Sequence, residues 1–169
     1  LFDPIQESQM DLIQKLDVDL IISTDLYGND IIGSLLQSDI IDASLITTTD
    51  HFRRDLEEIL TILNTTGAEV FLANLPRPSL LPATRFKKEK MLQEGVSTEA
   101  QIGDAITEID TIALQFNAIL AEEVASYPKI HVVDIASRVA DIEVSGIVIR
   151  GHQLNLSRFG DILTLDGVH

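Results

Sequence analysis

Three short apolar runs, each rich in valine and isoleucine and each separated from the next by helix-length amphipathic sequence, constrain this chain more than any other feature. Val18 to Ser23, Glu69 to Ala73 and Ile130 to Asp134 have strand length and end in polar or turn residues, the pattern of strands buried on both faces. Between the first two, His51 to Leu63 carries Phe52, Leu56, Ile59, Leu60 and Leu63 on one helical face, because residues three, four and seven apart share a side of a 3.6-residue turn. Thr49 and Asp50 supply N-cap chemistry there and Gly67 ends it. A longer helix is expected from about Asp104 to Ala125, with Ile106, Ile109, Ala113, Phe116, Leu120 and Val124 on one face and Pro128 beyond its end. A first helix, about Pro4 to Leu16, precedes the first strand. Helix and strand alternate throughout, which argues for parallel strands joined by crossover helices and hence an α/β layered sheet.

Two segments do not fit the alternation. Asn74 to Gly95 contains Pro76, Pro78 and Pro82 and then the basic residues Arg85, Lys87, Lys88 and Lys90, too long for a simple connection, and is expected as a lid-like loop beside the site. Ser145 to Leu156, with β-patterned pieces on either side of Gly151, is expected as a small hairpin.

The 169 residues make one domain, and 45% hydrophobic with 23% charged residues is a globular composition. A net charge of -15 repels phosphate backbones and anionic membrane surfaces, so no nucleic-acid partner is expected. No apolar run approaches the roughly 18 residues of a transmembrane segment. Cysteine is absent, which excludes disulfides, thiolate metal sites and a cysteine nucleophile. The early aspartates lack the spacing of a calcium loop, and neither a metal nor a cofactor site is expected.

In open α/β sheets ligands bind at the carboxyl ends of the strands. After the first strand comes Thr24-Asp25-Leu26-Tyr27-Gly28-Asn29-Asp30, a turn in which Gly28 permits positive φ or close backbone approach and Asn29 projects an amide into the crevice. Plain turn chemistry is the alternative, with Asn29 or Asp30 capping a helix that starts near Ile31. At the other end of the chain, Asp166-Gly167-Val168-His169 sets a carboxylate three positions before an imidazole. That spacing lets Asp166 hold Nδ1 of His169 and turn Nε2 toward a substrate, although such a pair also occurs as an ordinary surface contact.

The two motifs together resemble the SGNH hydrolases, also called GDSL-type esterases and lipases. That family has Gly-x-Asn-Asp or Gly-Asn-Asp after a parallel strand, here Gly28-Asn29-Asp30, and closes its catalytic domain with Asp-x-x-His, here Asp166 to His169. Ala73-Asn74-Leu75-Pro76, Gly146 to Leu154 and the ending FGDILTLDGVH are similar to its larger acylhydrolases, so the resemblance spans nearly the whole chain. It implies a three-layer α/β/α, flavodoxin-like fold with a parallel sheet, a small-molecule ester or lipid substrate, and a secreted or cell-envelope setting. It also implies that Asn29 is an oxyanion donor, His169 the general base, Asp166 its orienting partner, and Gly28 a requirement of backbone geometry.

The family's Gly-Asp-Ser nucleophile block has no counterpart. Gly160-Asp161-Ile162 and Gly103-Asp104-Ala105 lack the serine, and Ser23 lacks a glycine-flanked turn. The expectation is therefore a single domain, residues 1–169, truncated at both ends and incomplete at its N-terminus, with the serine upstream, a bare hydrophobic sheet edge and no activity by itself. A ligand-binding relative without turnover and a carbohydrate O-deacetylase of the same fold are the alternatives. Among other polar residues, His51 and His152 are expected in solvent, His131 packed within its strand, and Glu57-Glu58 and Glu122-Glu123 on solvated helix faces.

Overall fold

The computed structural model describes residues 9–24, 26–28, 30–31, 38–149 and 152–154. Within them lie helix α1 (Gln9–Lys15), strand β1 (Leu20–Ser23), helix α2 (Thr49–Thr66), strand β2 (Glu69–Ala73), helices α3 (Pro82–Glu94) and α4 (Glu99–Val124), strand β3 (Ile130–Val133), helix α5 (Ile135–Ser145), and strands β4 (Ile147–Ile149) and β5 (His152–Leu154).

The three apolar runs form one parallel sheet in the order β1-β2-β3, with Ile22 beside Phe71 and Phe71 beside His131. The protein is therefore an α/β protein built on a parallel sheet. Alternation along β2 divides the sheet's faces. Val70 and Leu72 are fully buried toward the helices, where α2 packs on α4 and α1 on α2. Phe52 and Phe116 stack face to face at 3.9 Å between α2 and α4, and burying a large side chain of this kind contributes about 1.5–3 kcal/mol. On the opposite face Leu20 and Ile22 of β1 remain 54% and 66% exposed and Val133 of β3 40%. Among the described residues β1 is an edge strand, yet Leu20–Ser23 carries no charge and no proline to guard that edge.

Several boundaries differ from the expectation for local reasons. Helix α2 starts earlier because Thr48, not Thr49 or Asp50, is its N-cap, its side chain accepting from the His51 N–H; Gly67 ends the helix at φ 72°, a left-handed conformation that favours glycine. Helix α4 begins at Glu99, five residues before Asp104, because Thr98 and Gln101 form a reciprocal capping box.

The largest correction concerns Asn74 to Gly95. It is not a loop: a short 3-10 turn, Pro78–Leu80, leads into the 13-residue helix α3, where Pro82 occupies the first turn and Gly95 caps the end at φ 67°. Proline in a first turn removes only an N–H that has no helical partner anyway, so it starts this helix rather than breaking it. The hairpin is present as β4 paired antiparallel with β5, preceded by helix α5, which the apolar pattern did not reveal. His131 is not a packed core residue: its side chain is 42% exposed, its Nε2 lies 2.9 Å from Glu69 and its ring rests 5.0 Å from that of Phe71. Glu122 and Glu123 are not merely solvated either, since together they clamp the guanidinium of Arg53, Glu122 at 2.7 Å.

Candidate functional site

The carboxyl ends of β1, β2 and β3 lie side by side, so the segments that leave them share one rim of the sheet. The turn after β1 is tied down on both sides of Gly28. Tyr27, 2% exposed, sits edge-on to Phe52 and Phe116 at 5.1 and 6.2 Å. Its hydroxyl donates to Asn117 Oδ1 at 2.5 Å and accepts the Leu75 N–H at 3.1 Å. Asn117, on α4, satisfies both backbone groups of Leu75, accepting its N–H at 2.9 Å and donating Nδ2–H to its carbonyl at 2.8 Å. The asparagine amide thus does for the end of β2 what another strand would do. Burial pushes the Tyr27 hydroxyl well above the ordinary phenol range, outweighing the Leu75 hydrogen bond, so the group stays neutral and keeps its proton to donate.

Gly28 is buried and already helical, and the half-buried Asp30 and buried Ile31 are helical too. The positive φ that Gly28 permits is therefore not used. Asp30 lies within this helical turn, its N–H bonded to the Tyr27 carbonyl at 3.2 Å and its carboxylate accepting from Thr47 Oγ1 at 3.1 Å. Of the other expected site residues, Asn29, Asp166 and His169 lie outside the described residues. Ser23 continues β1 in register with Leu72, without the sharp turn that exposes a nucleophile.

A second polar cluster joins the ends of β2 and β3. Asn74 donates Nδ2–H to Asp134 at 2.8 Å and accepts the Ala136 N–H at 2.8 Å through Oδ1. Asp134 caps α5 by accepting from the Ser137 N–H at 3.1 Å. Hydrogen bonds from Ser137 and then Asn74 hold the Asp134 carboxyl down to about 2, with a smaller contribution from the Arg138 charge. The spacing Asp134-x-x-Ser137 directly after a strand is an N-cap signal and made this cluster findable. Nothing local marked Asn117 or Tyr27.

The basic residues beyond β2 are largely engaged with neighbours: Lys88 pairs with Glu99 at 3.2 Å, Lys90 with Glu94 at 3.8 Å, and Lys87 turns inward. The His131 and Glu69 pair sits toward the amino ends of its strands, away from this rim. Among the described residues no cluster of acids and histidines has a geometry able to hold a metal ion, and no helix is long and apolar enough to cross a membrane. Comparison with known proteins finds no match, whether to a family model, a curated sequence or a solved structure.

Proposed function

We propose that this chain is the C-terminal part of the catalytic domain of an SGNH-type ester hydrolase of three-layer α/β/α architecture, with its nucleophilic serine on polypeptide upstream of Leu1. In this reading the serine Oγ attacks the ester carbonyl and its proton passes to Nε2 of His169. Asp166 holds Nδ1 of that imidazole, and the Asn29 amide donates to the oxygen on which negative charge develops. His169 then returns the proton to the departing alcohol, leaving an acyl-enzyme that water cleaves with the imidazole again acting as base.

The observation that carries the reading is the anchoring of the turn that bears Gly28. It leaves the carboxyl end of a parallel strand and is pinned by Tyr27 to the end of the adjacent strand and by Asp30 to Thr47. An oxyanion donor lowers a barrier only if it is in place before charge appears, and the ties at Tyr27 and Asp30 on either flank of the turn support that reading. The edge of β1, free among the described residues, adds support, because a further parallel strand there would end beside the same turn.

The test uses the full-length protein and a short-chain aryl ester. Asn29→Ala is expected to lower kcat by about 10²–10³ with little change in KM. An unchanged kcat removes Asn29 from the mechanism, and wild-type protein that binds the ester without cleaving it is a ligand-binding relative instead.

A further inference from the structure

The polar network under the turn after β1 holds one group more than hydrogen-bond satisfaction of the backbone needs. Asn117 on α4 accepts the Leu75 N–H at 2.9 Å and donates to the Leu75 carbonyl at 2.8 Å, so the chain just past β2 is already satisfied by the amide. The Tyr27 hydroxyl is buried against that pair, accepting the same N–H at 3.1 Å and donating to Asn117 Oδ1 at 2.5 Å. A phenylalanine would fill the same place beside Phe52 and Phe116 without giving up water. What the hydroxyl adds is a fixed point, because one oxygen ties together the turn after β1, the end of β2 and α4.

Tyr27 passes that fixed point to the turn in two ways. Its ring is 2% exposed and lies edge-on to Phe52 and Phe116, so it cannot shift without opening a closely packed core. Its carbonyl accepts the Asp30 N–H at 3.2 Å, which closes the turn Tyr27-Gly28-Asn29-Asp30 on the tyrosine itself. Asn29 therefore falls in sequence between a residue held by the core and a residue bonded back to it.

We propose that Tyr27 and Asn117 are positioning residues for the oxyanion donor: the Asn117 amide fixes the tyrosine hydroxyl, and the tyrosine fixes the turn that carries Asn29. The role of Asn29 is that of the ester-hydrolase reading, on which this assignment rests. Beyond that reading, the geometry brings in a side chain on α4, 90 residues along the chain from Tyr27. A reacting group misplaced by about 1 Å can lose about 10²-fold in rate, so the contribution of the network is read in kcat.

Kinetics of the full-length protein on a short-chain aryl ester, arranged as a double-mutant cycle, are the experiment. Tyr27→Phe should lower kcat about tenfold and leave KM within about twofold, because a misplaced oxyanion donor weakens the transition state and not the substrate complex. In an Asn29→Ala background the same change should cost less than about twofold, since no amide is left to misplace. Asn117→Ala, which leaves the tyrosine without its acceptor, should repeat both results. Purely structural support would lower kcat by the same factor with or without Asn29, and that outcome overturns the positioning role, as does an unchanged kcat in Tyr27→Phe. The reading beneath it fails separately: Asn29→Ala at wild-type kcat, or wild-type protein that leaves the ester intact, removes the oxyanion role and the positioning role with it.

Discussion

Tyr27 and Asn117 are 90 residues apart in the chain, yet between them they decide how the turn after β1 meets the end of β2. Tyr27→Phe deletes one donor while Leu75 keeps both of its bonds to Asn117, so the expected loss is about 1 kcal/mol in urea unfolding. Asn117→Leu leaves the Leu75 carbonyl without its donor and the buried Tyr27 hydroxyl without its acceptor, while the Leu75 N–H keeps the tyrosine oxygen, and should cost about 2–3 kcal/mol. A larger loss from the tyrosine than from the asparagine would mean that the amide is not the main support. Asp134 makes a prediction in pH. Its folded pKa of about 2 lies below the ordinary value of 3.8, so the capped carboxylate stabilises the fold fully above the unfolded value, and that contribution fades as pH falls from about 4 toward 2. Acid titration of Asp134→Asn, followed by circular dichroism, should show a shallower loss of stability in this window than wild type. The N-cap role of Asp134 was readable from a local pattern, whereas the amide of Asn117 looks in sequence like any polar position on a long helix.

At the scale of elements, periodicity located all three strands of the parallel sheet, and β2 to the residue, because a short apolar run bounded by polar and turn residues marks a strand's length; the expected burial on both faces is not seen, since Leu20, Ile22 and Val133 stay exposed on one face. Helix α3 escaped it. Three prolines and a basic cluster read as loop when counted, but what matters is where each proline falls, and Pro82 falls in a first turn. The helix is also weakly amphipathic, its buried face centred on a lysine, so no apolar stripe announced it. Strand β1 carries the sharpest element-level prediction. Leu20 and Ile22 leave 54% and 66% of their surface open on the sheet face opposite the helices, in a strand whose edge is unguarded among the described residues and so prone to pairing with other strands. Ile22→Lys should reduce self-association seen by light scattering while changing folding stability by no more than about 0.5 kcal/mol, since the side chain is already largely in solvent. Association that persists undiminished in this variant would place the sticky surface elsewhere.

Across the whole molecule, that open edge is opposed by a net charge of -15. Two copies repel at long range and attract only when apolar surface is close enough to pair. Screening weakens the first interaction far more than the second, the Debye length falling from about 30 Å at 0.01 M salt to about 10 Å at 0.1 M. Self-association of the chain at pH 7 should therefore increase as salt is added, measured by sedimentation at two ionic strengths. A decrease would assign the contact to ion pairs.

By itself the sequence determined the three strands of the main sheet, the helices α1, α2 and α4 that alternate with them, and that these strands run parallel, because those properties follow from apolar spacing along a few turns of chain and from the length needed to cross from one strand to the next. The tertiary structure alone decided that Asn117 completes the hydrogen bonding of β2, that Lys87 is buried on Ser38, and that His131 faces Glu69 in partial solvent. A polar side chain takes its role from whichever donor or acceptor lies within about 3 Å once the chain is packed, and neighbours in space that are 42 to 90 residues apart leave no periodic trace in the order of residues.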